Sequence, residues 1–412
     1  MPTRQGWTTL VGAVAAAIVG RVFGIVELFV IAAAMATAVI VAVAVVRLAR
    51  PHVEVTRWAH PAVLTVGDTG RVDLLVRNRG RWRSPRLSLT EPVGTRNSAH
   101  LTVAALRAGE QLSAGYRVPA QRRGVLEVGP TVLRRTDLLG LAADVRIGAD
   151  LTELTVAPQT FELPMPSLGT GVLGRHLMAL SQRIGPGEFH SLRDYVDGDE
   201  PRSIHWKASA RSEKFKVRQH EAQGVRRCIV VLDGDAEAWP DDLLGADPDA
   251  FERAVTLAAS LVLSAQRAGL TTRFVTGGPG GAPLDLRGPD VATHTLHALA
   301  PLAIGSPLGE FDRDPGEGLG LAIVVTSTTG GPAWRLTERL GDPTLTRLGI
   351  FTHGIGAGRR PRLALEARTL ADFRAGWARM AGAPGLTTEL TTDVVPGTAP
   401  AGAVASGAGP RR

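Results

Sequence analysis

Residues 228–233 read CIVVLD, a continuous apolar run that ends in an acid and passes into the loop GDAEAW, 234–239. A run that is apolar on both faces suits a strand buried in a parallel sheet, with helices covering both sides. Residues 251–268 follow, with Phe251, Val255, Leu257, Ala258, Leu261 and Leu263 at helical spacing. TTRFVT (271–276), LAIVVTS (321–327) and TRLGIFT (346–352) read as further strands, and helical patterns near 291–302 and 334–340 alternate with them. Strand–helix alternation of this kind predicts an open α/β sheet over residues 227–382. Its functional loops belong at the carboxyl ends of the strands, the first of them at 233–237.

Upstream the grammar is different. Between residues 51 and 164, short alternating runs such as VEVTRW, RVDLLVRNRG and QLSAGYRVP are separated by glycine turns such as Val66-Gly67-Asp68. Period-2 patterning at this spacing predicts an antiparallel β-sandwich domain. Earlier still, residues 28–46 carry no charge and one polar side chain, Thr37. As a helix this stretch spans about 28 Å, close to the ~30 Å of a bilayer core. Residues 7–20 form a second apolar run, which reaches bilayer length if it continues past Arg21, leaving Gly24 and Glu27 in a tight turn. Residues 1–50 are therefore expected to form a two-span hairpin in the lipid bilayer of the cell (inner) membrane. Arg4 before it and Arg47, Arg50 and Arg57 after it place both flanks, and the body of the chain, in the cytoplasm. Residues 165–226 link the β-domain to the α/β domain, and 383–412 dissolve into Ala, Gly, Pro and Thr, the composition of a disordered tail.

Composition closes off several functions. The 412 residues carry a net charge of +7, but lysine occurs only at 207, 214 and 216 and the arginines are scattered among acids. That distribution does not make a phosphate-binding stripe, and no nucleic-acid partner is expected. The single cysteine, Cys228, excludes a disulfide framework and a multi-cysteine zinc site. No G-x-x-x-x-G-K-[ST], G-x-S-x-G, H-E-x-x-H or G-x-G-x-x-G is present. Nucleotide hydrolysis, elbow-type serine hydrolysis and zincin chemistry all lack their usual sequence support.

Two stretches remain that could carry chemistry. GEFHSLRDYVDGDEPRSIHWKASARSEKFKVRQHE (187–221) holds all three lysines, Tyr195 and three histidines. Its alternatives are a metal or acid–base set made of His190, Asp194, Asp199 and His205, the site of an uncharacterised metal-dependent hydrolase, or a structural joint. In the joint, Arg193, Arg202 and Arg211 pair with Asp194, Asp199 and Glu188, while Phe189, Leu192, Ile204 and Trp206 supply buried apolar contact. No nucleophile or oxyanion element stands at fixed spacing, which favours the joint. The second stretch, VVLDGDAEAW (230–239), is similar to the strand-to-loop turn of a von Willebrand factor A domain, whose D-x-S-x-S presents a carboxylate and two hydroxyls to a cation. Here Asp233, Asp235 and Glu237 occupy the alternate positions, a degenerate site for Mg²⁺ or another divalent cation. The later strand ends in Ser327 and Thr328 where that site often has an acid, so weak or no metal binding, and no resident cofactor, is expected.

Taken together, the chain resembles the bacterial family known as domain of unknown function 58, in its actinobacterial form. Arg123-Gly124 and the turn 137–141 (DLLGL) resemble that family's RG and DPFGL turns, and residues 187–211 resemble its signature. The matching positions are Gly187, Glu188, Arg193, Asp194, Tyr195, Gly198, Asp199, Arg202, Ile204, Trp206, Lys207, Ala210 and Arg211. The resemblance implies a multi-domain protein: a transmembrane α-hairpin, an antiparallel β-sandwich, then an open α/β sheet of von Willebrand factor A (Rossmann-like) type. It also implies a non-catalytic membrane adaptor or scaffold, working with a MoxR-type AAA+ ATPase and other membrane proteins in the assembly or maturation of envelope components.

Overall fold

The computed structural model of the chain describes residues 1–48, 52–184, 189–197, 201, 204–212, 214–220, 224–278, 281–310, 318–338, 341–355 and 361–383. One compact unit covers Met1–Ala157 and a second begins at Pro158. The expected tail, 383–412, lies outside the described residues apart from Ala383.

The first unit opens with α1 (Arg4–Phe23) and α2 (Val26–Leu48), both long and apolar enough to cross a membrane. Thr3 caps α1 by accepting from the Gly6 amide, and Gly24 ends it with φ of 70°, a left-handed turn that glycine adopts without strain. Glu27 is not in that turn, as the sequence suggested, but in the first turn of α2, where a negative charge complements the helix dipole.

Ten strands follow among the described residues: β1 (Val53–His60), β2 (Val63–Thr65), β3 (Thr69–Asn78), β4 (Leu87–Val93), β5 (Asn97–Val103), β6 (Gln111–Pro119), β7 (Gly124–Val128), β8 (Thr131–Thr136), β9 (Ala143–Ala149) and β10 (Thr152–Ala157). They form a three-stranded sheet, β1-β3-β6, and a seven-stranded sheet, β2-β10-β7-β4-β8-β9 with β5 on β4. Val55, Leu74 and Val76 of the first meet Leu87, Leu89, Val103 and Leu133 of the second in one buried cluster. The pairing is antiparallel save for β2, which runs parallel to β10, a departure from the all-antiparallel expectation. Strands β8 and β9 were not legible as strands. The reason is chemical: β8 turns Thr131 and Arg135 inward, and β9 leaves Val145 and Ile147 exposed.

Three polar side chains of this domain converge on Glu91, which is 1% exposed. Its carboxylate accepts from the Arg57 guanidinium at 2.5 Å, the Tyr116 hydroxyl at 2.6 Å and the Thr131 hydroxyl at 2.5 Å. Burial and the bond to Glu91 push the Tyr116 phenol well above its ordinary value. These three bonds to one carboxylate tie β1, β4, β6 and β8 across both sheets, while the buried Arg57 Nε has no partner among the described residues.

The second unit contains α3 (Gly171–Ile184), β11 (Phe189–Asp194), α4 (Trp206–Ser209), β12 (Lys216–His220), β13 (Val225–Leu232), α5 (Asp241–Ala246), α6 (Ala250–Arg267), β14 (Thr271–Gly277), β15 (Pro283–Arg287), α7 (Val291–Leu299), β16 (Leu319–Thr326), α8 (Pro332–Glu338), β17 (Leu345–Phe351), β18 (Ala364–Glu366) and α9 (Leu370–Ala381). Its main sheet runs β15-β14-β13-β16-β17-β18, parallel except for the antiparallel edge strand β15. Alternate residues of β13 serve opposite cores. Cys228, Val230 and Leu232 join the cluster of α6, while Ile229 and Val231 join that of Ala333 on α8. Burial on both faces is why CIVVLD shows no polar alternation.

Replacing Glu91 by Ala removes the only acid that pairs with the Arg57 guanidinium among the described residues. That side chain, 5% exposed, keeps only the Asp150 carbonyl and the Thr152 hydroxyl, and two hydroxyls are left without an acceptor. Thermal unfolding of Glu91→Ala is expected to show a loss of ~3–5 kcal/mol, and Glu91→Gln a smaller one. A melt unchanged in Glu91→Ala would contradict the network.

Candidate functional site

Strand order in the six-stranded sheet reverses between β13 and β16, and ligand sites of open α/β sheets lie outside the carboxyl ends at such a point. Asp233 stands there, directly after β13, and is 0% exposed. Its Oδ2 accepts from the Thr326 hydroxyl at 3.0 Å, at the end of β16, and from the Ala333 amide at 3.2 Å, in the first turn of α8. Its Oδ1 accepts from the Asp235 amide at 3.3 Å, and its backbone carbonyl from Trp239 Nε1 at 2.8 Å. Burial raises the carboxyl to about 6, against the pull of these donors. A Cβ at Gly331 would sit 2.7 Å from both Asp233 Oδ2 and Thr326 Oγ1, so glycine is needed for the close approach.

The other two acids point elsewhere. Asp235 caps the short helical turn Ala236–Ala238 by accepting from the Glu237 amide at 2.9 Å. Glu237 pairs with Arg335 at 2.6 Å on the surface, and the Ser327 hydroxyl donates to the Ala238 carbonyl. Among the described residues, no group of three or more His, Cys, Asp or Glu could hold a metal ion. Thr326, Gly331 and Arg335 escaped the sequence reading, because nothing local marks them as neighbours of a loop about 90 residues earlier; only the fold brings them together.

The signature segment is an antiparallel hairpin of β11 and β12 with α4 set against it. Asp194 is opposite Lys216, Arg193 opposite Val217, and Ile204 bridges to Val217. His205 caps α4, its Nδ1 accepting from the Ala208 amide at 3.0 Å, and its own amide donates to the Lys216 carbonyl at 2.7 Å. The buried Ser209 hydroxyl accepts from the Lys216 amide at 2.8 Å, which locks α4 to β12. Phe215 is the centre of an aromatic group, its ring 6.1 Å from Trp206 and 6.5 Å from Tyr195, both edge to face.

Two parts of the expected joint are corrected. Asp194 is paired not with arginine but with Lys216, at 2.5 Å, with Lys214 further off, and the Lys216 bond holds its carboxyl below the ordinary value. Arg193 donates to the Asp194 backbone carbonyl, and its other expected partners, Glu188 and Asp199, lie outside the described residues. Trp206 is not buried: it is 64% exposed and Phe215 is 56% exposed, because α4 is a single turn too short to carry a core of its own. Lys207, Ala210 and Arg211 are also exposed. Gly187, Glu188, Gly198, Asp199 and Arg202 lie outside the described residues, as does the side chain of His190. Phe215, flanked by Lys214 and Lys216, joins the expected residues, and its one sequence signal is its place in the lysine-bearing stretch.

An open α/β sheet carrying an aromatic hairpin on its N-terminal side is thus the class of protein in hand. Residues 191–278, from the hairpin through β14, match the family model described as "Protein of unknown function DUF58", so the family expected from the signature is found on the signature itself. No curated protein matches the chain. Among solved structures, the CARDB domain of the PF1109 protein from Pyrococcus furiosus, in complex with di-metal ions, is similar at 14% identity, over 26% of this chain and 89% of that one, with a TM-score of 0.21. A beta-glucosidase from Listeria innocua in complex with isofagomine is similar at 16% identity, over 26% of this chain and 16% of that one, at 0.19. The alkylpurine DNA glycosylase AlkC from Pseudomonas fluorescens, bound to DNA, is similar at 12% identity, over 32% and 38%, at 0.19. Likeness this low carries no argument about fold or function.

A carboxyl raised by folding from 3.8 to about 6 favours the folded state below pH 3.8, and that advantage fades as the pH rises through 6. Asp233→Asn keeps an acceptor for Thr326 and Ala333 without the charge. Wild type is therefore expected to lose on the order of 3 kcal/mol relative to this variant between pH 4 and 7. Denaturation of both proteins across that range checks it, and parallel stability profiles would contradict it.

Proposed function

We propose that the protein is a membrane-anchored, non-catalytic adaptor that docks a protein partner through the aromatic face of its signature hairpin. The observation that carries this reading is the exposure of Trp206 and Phe215 on a backbone held by His205 and Ser209. Large aromatic side chains on a pre-organised surface are typical anchors of protein–protein contact. Lys207, Lys214 and Arg211 surround them with positive charge, which suits a partner with an acidic rim. The family resemblance makes a MoxR-type AAA+ ATPase the partner of choice, with the two apolar helices as the anchor and the body of the chain in the cytoplasm.

The α/β domain fits a von Willebrand factor A-like reading through its strand order, its antiparallel edge strand and its acid-ended first strand. In this proposal it acts as a scaffold and not as a cation-dependent adhesion site, since each of the three acids already has a structural partner. A hydrolase centred on residues 187–221 draws no support from the described contacts: His205 Nδ1 is a helix cap, and Asp194 is bound by lysine.

Trp206→Ala and Phe215→Ala should each melt within about 0.5 kcal/mol of wild type, as exposed positions do. Recovery of the AAA+ ATPase on the full-length protein, crosslinked in intact cells, should fall by roughly thirtyfold if these are anchor residues worth ~2 kcal/mol. Unchanged recovery in both variants would sink the proposal.

A further inference from the structure

The turn between β8 and β9 carries two leucines that little protein covers. Leu138 is fully exposed and Leu139 is 67% exposed, although the turn that carries them is firmly built. Asp137 accepts from the Leu139 amide at 3.0 Å and the Ala142 amide at 2.6 Å, and Gly140 turns the chain with φ of 71°. The turn is also clamped to the helical hairpin. Pro2 bridges to Ala142, the Thr3 amide donates to the Leu141 carbonyl at 2.9 Å, and the N-terminal ammonium donates to the Ala143 carbonyl at 2.7 Å. Leu141 and Ala142 pack with Val39, Ala42 and Val46 of α2. Val39 lies nine residues before Leu48, so at ~1.5 Å per residue this contact reaches ~13 Å into the apolar stretch.

A groove of about 1550 Å³ opens beside this turn. That exceeds the ~300–1,000 Å³ of an ordinary small-molecule site. One wall is a single face of α2, where Val30, Ala34, Ala38, Val41 and Val45 recur at helical spacing. The opposite wall is the outer face of the seven-stranded sheet, where Ser88 stands opposite Arg134 in register and Arg86 shares the side of Ser88. Arg86 and Arg134 are exposed, and among the described residues neither guanidinium has a hydrogen bond or ion pair. Asp137, the acid that lines the groove, has its carboxylate occupied by two amides. The combination of an apolar wall, a wall with two unneutralised cations and a rim of two leucines matches one amphiphile.

We propose that this groove holds an anionic phospholipid, its phosphate against Arg86 and Arg134 and its acyl chains along the small-residue face of α2, with Leu138 and Leu139 in the same lipid layer. The proposal rests on the membrane-anchor reading of α1 and α2. Charge complementarity names the lipid class, and continuity with α2 names the bilayer as its source. The turn thereby becomes a second point of attachment that holds the β-domain against the membrane surface.

The test uses full-length protein in lipid nanodiscs, with an environment-sensitive fluorophore on Leu138→Cys. Cys228 does not compete for the label, since it is fully buried and burial pushes its thiol up to about 12. Blue-shifted emission, quenched by lipid brominated on its acyl chains, is expected. Native mass spectrometry should show phosphatidylglycerol retained over phosphatidylcholine, with retention falling roughly fivefold for each of Arg86→Ala and Arg134→Ala, the equivalent of ~1 kcal/mol per arginine at a bilayer surface. Emission characteristic of water, or equal retention of the two lipids by wild type, would overturn the proposal. A blue shift without quenching by brominated lipid would mean that protein, such as a second copy of the chain, covers the turn, and would overturn it too. Carbonate extraction separates this from the anchor reading: a chain that washes off membranes refutes both, whereas one that stays while Leu138 reports water refutes only the lipid site.

Discussion

The buried carboxylate of Asp233 is the constraint on which the carboxyl edge of the six-stranded sheet depends. One side chain joins the end of β13, the hydroxyl at the end of β16 and the first turn of α8. Gly331 must be glycine for the three to meet, and Trp239, hydrogen-bonded to the Asp233 carbonyl, closes the site from below with Phe251 of α6 against its ring. Holding a carboxyl in this place raises it to about 6, so the arrangement is maintained at some electrostatic cost near neutral pH. A group so fully engaged has little left to offer a ligand.

This shifts attention from the position where open α/β sheets ordinarily bind ligands to the hairpin that precedes the sheet. There the polar contacts are again internal, His205 and Ser209 fastening α4 to β12, but the apolar ones face outward. The same division of labour recurs in the first unit, where Glu91 gathers the polar side chains inside and Leu138 and Leu139 are left outside. Exposed apolar groups on well-tied backbone thus recur in both units.

How far the sequence could be read depended on whether side chains obeyed binary patterning. CIVVLD and the two N-terminal helices were legible as unbroken apolar runs, and α6 as an apolar stripe at helical spacing. Strand β8 was not, since Arg135 and Thr131 point inward to a polar network that no pattern of hydrophobicity encodes. Helix α9 had its signals in view: Thr369 caps it by accepting from the Asp372 amide, and Phe373 and Trp377 stack one turn apart, but the many Ala and Gly residues around them diluted the pattern. For the site, the acids at 233, 235 and 237 stand at alternate positions in the sequence, but that alternation along the loop sends one inward, one to a cap and one to a surface pair with Arg335. Trp206 was placed in a core on its residue type alone, and a one-turn helix beside a two-stranded hairpin provides none.

The central proposal is that the acidic loop serves to hold the sheet together and not to bind a cation. Titration calorimetry of Mg²⁺, Mn²⁺ and Ca²⁺ into the full-length protein tests it most directly. The account predicts weak heats or none, identical in wild type and in Asp233→Ala; micromolar binding that Asp233→Ala abolishes would contradict it.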